Sequence, residues 1–435
     1  MKAKALIATY YWPPSGGPGV QRYLKFAKYL PQFGVEPIVL TVENPTYPLL
    51  DPSLLDEVPD SLTVYRSRTV EPFSLYAGLS GKRGEEISPS TELQSDTFLG
   101  NLGSWIRANI FIPDARAGWL LTAARKAVTI IERHHIDTII TTGPPHSVHF
   151  IGKHLKQHHG VRWLADFRDP WSQIYYNQLL PRTAVAEQLD EKLEQIILKQ
   201  ADEVIVVSRT QAESFRKQVE RGYRVITNGF DPEDFDSISP TGRKNPRFTI
   251  RHVGTIGEAA IPGPLLDVLA AFPANDRPVI EFIGDVHRKL PEQVRETGLS
   301  DSVQFTPYLP HRQALEKMCR ADALLLSIPD VGQMEQHIPG KLFEYLGSGC
   351  PILMLGPVRG ESARILREEV AGIAVPFRDK EAIRDALQQL LRGTKTFEKR
   401  NQLHESPWSR VALTRSLSEL ILNPDPLHHN PDPSH

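Results

Sequence analysis

The sequence predicts an α/β protein made of two successive doubly wound parallel-sheet domains. Three observations lead there. Short runs rich in Val, Ile, Leu and Thr alternate with helical patterns through most of the 435 residues, which is the signature of βαβ units. The strand runs are apolar almost without interruption, as strands covered by helices on both faces are. One polar, turn-rich stretch, residues 231–246, divides the alternation into two series, and the length allows each series its own hydrophobic core.

In the first series, strands are expected at residues 3–9, 36–42, 136–142, 162–167, 203–208 and 224–227. Between them, residues 20–33 place Val20, Tyr23, Leu24, Ala27 and Leu30 on one side of a helix, and 117–134 and 184–200 read as longer helices. The second series places strands at 248–253, 279–283, 303–307, 323–328, 351–355 and 372–376. Its clearest helix is 379–391, where Ala382, Ile383, Ala386, Leu387, Leu390 and Leu391 make one apolar stripe. The expected organisation is therefore a first domain over 1–230, a linker over 231–246 and a second domain over 247–405, with a ligand cleft at the carboxyl ends of the strands. A last amphipathic helix ends at 422. Residues 81–97 read as a mobile polar loop, and the proline-rich residues 423–435 as a disordered tail.

Composition narrows the function. Fifty Lys and Arg balance 52 Asp and Glu for a net charge of -2, so no global basic field exists to hold nucleic acid and any anion site must be local. With 40% hydrophobic and 23% charged residues the chain is not a disordered one. Cys319 and Cys350 are the only cysteines, too few for a disulfide framework or a cysteine zinc site. No apolar run approaches the roughly 18 residues that span a bilayer, and residues 5–8 are too short for a signal peptide, so the expected address is cytoplasmic.

Several strand exits carry candidate chemistry. The first strand runs into Pro13-Pro-Ser-Gly-Gly-Pro-Gly19 and a helix, where Gly16, Gly17 and Gly19 let a ligand approach free amides; a tight strand-to-helix connection is the alternative. Thr141-Thr-Gly-Pro-Pro-His146 puts His146 at the cleft rim, in position to bind or deprotonate a hydroxyl. Asp166, Arg168 and Asp169 crowd another strand exit, where structural Asp/Arg pairing is equally open. In the second half, Lys341 and Glu344 share a helix face at its start, where the lysine would meet an anion and the glutamate a sugar diol; a surface ion pair is the alternative. Arg359, Gly360 and Ser362 open a helix and offer charge and backbone donors to a diphosphate, or form an ordinary cap. Asp231, Glu233, Asp234 and Asp236 resemble an acidic metal site only weakly. Trp105, Ile106, Arg107, Ile110 and Phe111 within 99–113 would suit a membrane interface or a buried packing segment.

Taken in order, YYWPPSGGPGVQR, TTGPPHS, LADFRDPW, ADEVIVVS with ITNGFDPEDF, RHVGT, FIGDV, IPGKLFEYLGSGCPIL and GESARIL resemble a GT-B glycosyltransferase of the retaining family four, in its KLFEY subgroup, over residues 3 to 392. The resemblance implies two Rossmann-like domains and a last helix, 406–422, crossing back to the first. It implies a hexosyltransferase that moves a sugar with retention, without metal or cofactor, from a nucleotide sugar of UDP type to a glycan or lipid-linked acceptor in surface polysaccharide or glycolipid synthesis. Glu344 matches the glutamate that holds the nucleotide ribose, and Lys341 a position used for donor phosphates. Gly16, Gly17 and Gly19 face the donor phosphates, Gly360, Glu361 and Ser362 meet the diphosphate and donor sugar, and His146 and Asp169 lie on the acceptor side.

Two departures stand out. Gln336, with Glu335 beside it, occupies the position of the family's earlier glutamate, and the segment 253–262 lacks the usual basic pair. Phosphate binding then leans on Lys341, with Arg251 and Arg359 as the remaining cations. A nucleotide-sugar 2-epimerase of similar fold and a non-catalytic scaffold are the competing expectations, and peripheral contact with the inner membrane face is a further one.

Overall fold

A computed structural model describes residues 2–45, 47, 50–69, 105, 106, 108–174, 180–236, 238, 245–329, 334–336, 338–397 and 403–423. The expected loop at 81–97 and residues 424–435 of the expected tail lie outside the described residues, as do 99–104 and 107 of the interfacial segment. The chain forms two compact units, Met1–Thr227 with Arg410–His435, and Asn228–Ser409.

In the first unit β1 (Ala3–Thr9), α1 (Pro18–Tyr29), β2 (Val35–Val42), β3 (Thr63–Ser67), α2 (Leu120–His134), β4 (Thr138–Gly143), α3 (His149–His159), β5 (Arg162–Phe167), α4 (Ala184–Gln200), β6 (Glu203–Val206), α5 (Arg209–Gln218) and β7 (Arg224–Val225) follow in order. The strands form one parallel sheet in the order β3-β2-β1-β4-β5-β6-β7. Because side chains alternate across a strand, Leu6, Ala8, Ile38, Leu40 and Ile139 pack with α2 and α3, while Ala5, Ile7, Val39 and Ile140 pack with α1. That two-sided burial is the reason the runs are apolar throughout. β3 is half-exposed at the sheet edge, and its TVYRS sequence has no apolar run to announce it. Thr183 and Ser208 start α4 and α5 by accepting from Ala186 and Gln211 backbone N–H groups.

The second unit runs β8 (Thr249–Val253), α6 (Gly263–Ala270), β9 (Val279–Ile283), α7 (Lys289–Glu296), β10 (Val303–Thr306), α8 (His311–Cys319), β11 (Ala323–Ser327), α9 (Gly340–Ser348), β12 (Ile352–Leu355), α10 (Glu361–Glu368), β13 (Gly372–Val375) and α11 (Lys380–Arg392). Its strands are again all parallel, in the order β10-β9-β8-β11-β12-β13. Asp379 caps α11 through Ala382 N–H, and Gly349 and Gly393 close α9 and α11 in the left-handed conformation.

The stretch expected to begin the linker is packed, not free. Phe230 and Phe235 are buried in the second unit, in the core that holds Leu342, Phe343 and Leu346. Phe235 lies so close to Gly347 that a methyl there would sit 2.6 Å from its ring. The last helix, α12 (Arg410–Leu422), buries Leu413, Leu417, Leu420 and Ile421 in the first unit's core with Phe26 and Ala27 of α1 and Leu30 just after it. Arg162 Nη1 donates to Leu420 O across 2.7 Å and ties its end to β5.

In each sheet the winding direction reverses once, between β1 and β4 and between β8 and β11. Ligands of open parallel sheets bind outside the strand ends at such reversals.

Candidate functional site

At the reversal of the second unit the chain leaves β8 through Gly254, at φ +111, and β9 through Gly284, at φ +119. Side chains rarely adopt these angles, and space forbids them as well. A Cβ on Gly284 would lie 2.9 Å from Gly254 O, and one on Gly254 would lie 3.1 Å from Lys341 Nζ. The two glycines and the lysine are thus stacked in succession over the strand ends. α9 delivers that lysine in its first turn, where no side chain caps the helix. Four residues on, the buried Tyr345 hydroxyl accepts from Val253 N–H at 2.9 Å, which pins the same helix face to the end of β8.

Lys341 Nζ donates to His252 Nε2 at 3.1 Å and to Thr255 O at 3.2 Å. Burial pulls its pKa down to about 8, opposed by the Glu344 carboxylate. A cation at a helix start also meets the positive end of the dipole. Among the described residues the ammonium therefore keeps one N–H without a partner, in a place where an anion would relieve its electrostatic cost. Glu344 is half-buried one turn along the same helix.

Other expected donor ligands are placed differently. Arg251 precedes His252 on β8 and projects to the opposite face, where its buried guanidinium binds Glu281 at 2.7 Å, Lys317 O and Asn245 Oδ1. It is not brought to Lys341. Gly360 caps α10 and packs on Glu335, whose carbonyl would be 2.9 Å from a Cβ there. Glu361 is buried with its carboxylate on Arg364, at 2.6 and 2.9 Å, and Ser362 is buried beside it. Arg359 is exposed in the turn before them. Gln336 follows Glu335 in a short turn, and residues 330–333 and 337 around it lie outside the described residues.

In the first unit, β4 exits through Gly143 into Pro144, Pro145 and His146. The His146 ring lies flat on Trp171, with centroids 5.0 Å apart and planes 2° apart, and is only 8% exposed. Trp171 is itself fixed: its Nε1 donates to Asp190 at 2.6 Å and its backbone N–H to Glu194 at 3.2 Å, both on α4. Asp114 accepts from Ser147 N and Oγ, both at 2.8 Å, and holds the other flank of the turn. Arg168 bonds back to Gly143 O and Pro144 O, and its guanidinium fills the space a side chain at Gly19 would need. Gly17, at φ +98, starts α1; Gly16 precedes it half-buried, and Asp169 is exposed after Arg168. Asp166 does not pair with its sequence neighbour Arg168. It binds Arg22 of α1 in a bidentate buried pair, 3.0 and 3.1 Å.

Burial holds three histidines neutral: His146 well below its ordinary 6.5, and His149 and His252 at about 3. Because each folded value lies below the unfolded one, the stability these rings allow is complete above pH ~6.5 and is lost as the pH falls from there. Each contributes about 1.4 kcal/mol per pH unit. Urea midpoints should drop steeply between pH 6.5 and 5, and a flat profile would contradict the buried neutral rings.

The acidic residues at the start of the second unit do not converge on a metal. Asp231 Oδ1 accepts from Glu233 N–H, Asp234 faces His311 at 3.3 Å and Asp236 faces His404 at 3.2 Å. Among the described residues no group of three His, Cys, Asp or Glu side chains could hold a metal ion, and no helix is long and apolar enough to cross a membrane. Sequence reasoning missed His252, Trp171 and the pair Asp190 and Glu194. Two of them had a signal, His252 two residues before Gly254 in RHVGT and Trp171 at the end of LADFRDPW.

Comparison with known proteins agrees with the two parallel-sheet α/β units. Residues 19–234 match the model of "Glycosyltransferase Family 4", and residues 251–393 that of "Glycosyl transferases group 1". No curated protein matches the chain by sequence. Among solved structures, Anabaena HepE in complex with UDP and glucose superposes with a TM-score of 0.60 at 14% identity, over 97% of this chain and 100% of that one. A glycosyltransferase from Rickettsia africae gives 0.60 at 13%, over 97% and 99%. The lipopolysaccharide outer core galactosyltransferase WaaB gives 0.58 at 12%, over 97% and 99%. At these identities the likeness is one of fold.

Proposed function

We propose that this chain, which carries the two domains of the GT-B glycosyltransferases, transfers a sugar from a nucleoside-diphosphate donor held by its second unit to a hydroxyl acceptor met by its first. The observation that carries the proposal is the Lys341 ammonium, held over the Gly254 and Gly284 strand ends with one N–H unpaired. Departure of the sugar leaves negative charge on the diphosphate, and a fixed ammonium stabilises that charge as it forms. Glu344, one turn further along α9, accepts from the ribose hydroxyls. The amides of Gly360, Glu361 and Ser362 at the start of α10 meet the diphosphate from the other side, with Arg359 adding charge. This set works without a metal ion or a cofactor.

On the acceptor side the neutral His146 ring and the Asp169 carboxylate orient the incoming hydroxyl, while Gly16 and Gly17 offer the start of α1 to phosphate oxygens and Gly19 lets the Arg168 guanidinium lie against it. Retention follows when the departing diphosphate takes the proton of a hydroxyl attacking from the same face. HepE and WaaB are, by their descriptions, a UDP-binding protein and a galactosyltransferase of lipopolysaccharide, which supports a UDP-type donor and an acceptor in surface glycan synthesis. Incubation with UDP-, GDP- and ADP-sugars and a lipid-linked or glycan acceptor panel tests this, with product anomers read by proton NMR. A retained anomer on the acceptor is expected. An epimerised free nucleotide sugar, or no binding of any of the three nucleotides by titration calorimetry, overturns it.

A lipid-linked acceptor also accounts for an exposed apolar group in the first unit. Trp105, Ile110, Val185 and Leu189 are 43 to 76% exposed. Asn109 joins their two segments through Pro181 O at 2.8 Å and Thr183 N–H at 2.7 Å. Such residues bury at a headgroup boundary. The protein should float with anionic liposomes, and a protein left at the bottom of the gradient removes the membrane from the proposal.

A further inference from the structure

We propose that His252 is a positioning residue for donor binding: its ring grips the Lys341 ammonium so that the remaining N–H of that group faces the diphosphate oxygens. This rests on the assignment of Lys341 as a phosphate ligand and adds a residue that no family match assigns a role.

The tautomer is set by the structure. His252 Nδ1 lies 3.0 Å from Leu325 O, a group that can only accept, so Nδ1 carries the proton and Nε2 presents its lone pair. Nε2 in turn lies 3.1 Å from Lys341 Nζ, which can only donate there. The chain Lys341 Nζ–H to His252 Nε2, and His252 Nδ1–H to Leu325 O, therefore runs in one direction and ends on the backbone of β11. Thr255 O takes a second ammonium proton at 3.2 Å.

Two fixed acceptors on a three-donor group determine where the third donor points. A lysine on a free four-carbon stem carries rotamer entropy that a ligand would have to remove. Here the fold has removed it before the ligand arrives, which is the condition for strong electrostatic stabilisation. His252 suits this task because it is buried among apolar groups, 1% exposed and 6.1 Å from the Phe282 ring, and so stays neutral beside the cation. Gly254 completes the device, since any side chain there would press on the ammonium.

Two near-isosteric replacements separate the ring's two contacts. Asn at 252 keeps a donor for Leu325 O and deletes the acceptor for Lys341, whereas Gln reaches the Nε2 position and restores that acceptor. The probe is whichever of UDP, GDP and ADP the wild type binds tightest, read by titration calorimetry, with a thermal scan of every variant. His252→Asn should weaken binding about tenfold and His252→Gln should recover most of it. Added to Lys341→Met, His252→Asn should cost nothing further, because the group it positions is gone. A merely structural histidine would weaken binding equally in both backgrounds, and that result, or wild-type affinity in His252→Asn, overturns the proposal. Failure of the wild type to bind any of the three nucleotides instead removes the assignment of Lys341 on which it stands.

Discussion

Lys341→Met is expected to lower sugar transfer and donor hydrolysis by about 10²- to 10³-fold, the usual loss when one preorganised donor to developing charge is removed. The melting temperature at pH 7 should nevertheless match or exceed that of the wild type. The second half of this expectation follows from the sign of the titration. Lys341 has its pKa pulled from 10.5 to about 8 by burial, so the folded state resists the charged form. That cost is fully present below pH 8 and disappears as the pH rises from 8 towards 10.5; methionine, similar in shape, removes it outright. Donor affinity in the wild type should accordingly fall as the pH is raised through about 8 and the ammonium is lost. Rates with the cognate nucleotide sugar, a calorimetric pH series and a thermal scan check all three statements. An active Lys341→Met enzyme would take the phosphate away from α9.

Arg22→Met should cost about 3–5 kcal/mol of folding stability, the usual consequence of leaving one half of a buried ion pair without its partner. Both side chains are fully buried, with Arg22 on α1 and Asp166 at the end of β5. Arg22 also donates to Ile226 O at 2.8 Å and Thr227 O at 2.6 Å, and it stacks over Phe26 at 5.0 Å. It therefore joins the first helix to the end of β5 and to the segment that follows β7. Asp166→Leu combined with Arg22→Met should recover much of the loss, since an apolar pair of similar volume strands no charge. Urea denaturation of the three variants decides the matter, and a single-variant loss under about 1 kcal/mol would show that the pair is dispensable.

Much of the architecture was legible because burial on both faces of a parallel sheet demands continuous apolar strands, and several such runs stand out between recognisable helix patterns. β3 escaped because TVYRS alternates too weakly to register, whereas the equally edge-placed β7 and β10 fall within expected runs. The packed turn around Phe235 was read as linker because its acids and prolines mask one large apolar residue whose partner, Gly347, lies far along the chain. Arg251 and His252 show the same difficulty at a finer scale. Period-two alternation tells that they face opposite ways, but not that Glu281 waits on one side and Lys341 on the other.

What the sequence determined by itself is the order and type of elements, the division into two doubly wound halves, and the clustering of prolines and glycines at strand exits. Local propensity and burial act on neighbours in the chain and leave periodic traces there. Tertiary structure alone decided which charges are spent on structure, as in Arg22 with Asp166 and Arg251 with Glu281, and that the Lys341 ammonium is held by His252 and Thr255. His252 meets Lys341 across 89 residues, and the hydrogen bond between them exists only because the end of β8 and the start of α9 arrive at one place. Side-chain pairing depends on that meeting in space, for which no spacing along the chain carries a signal.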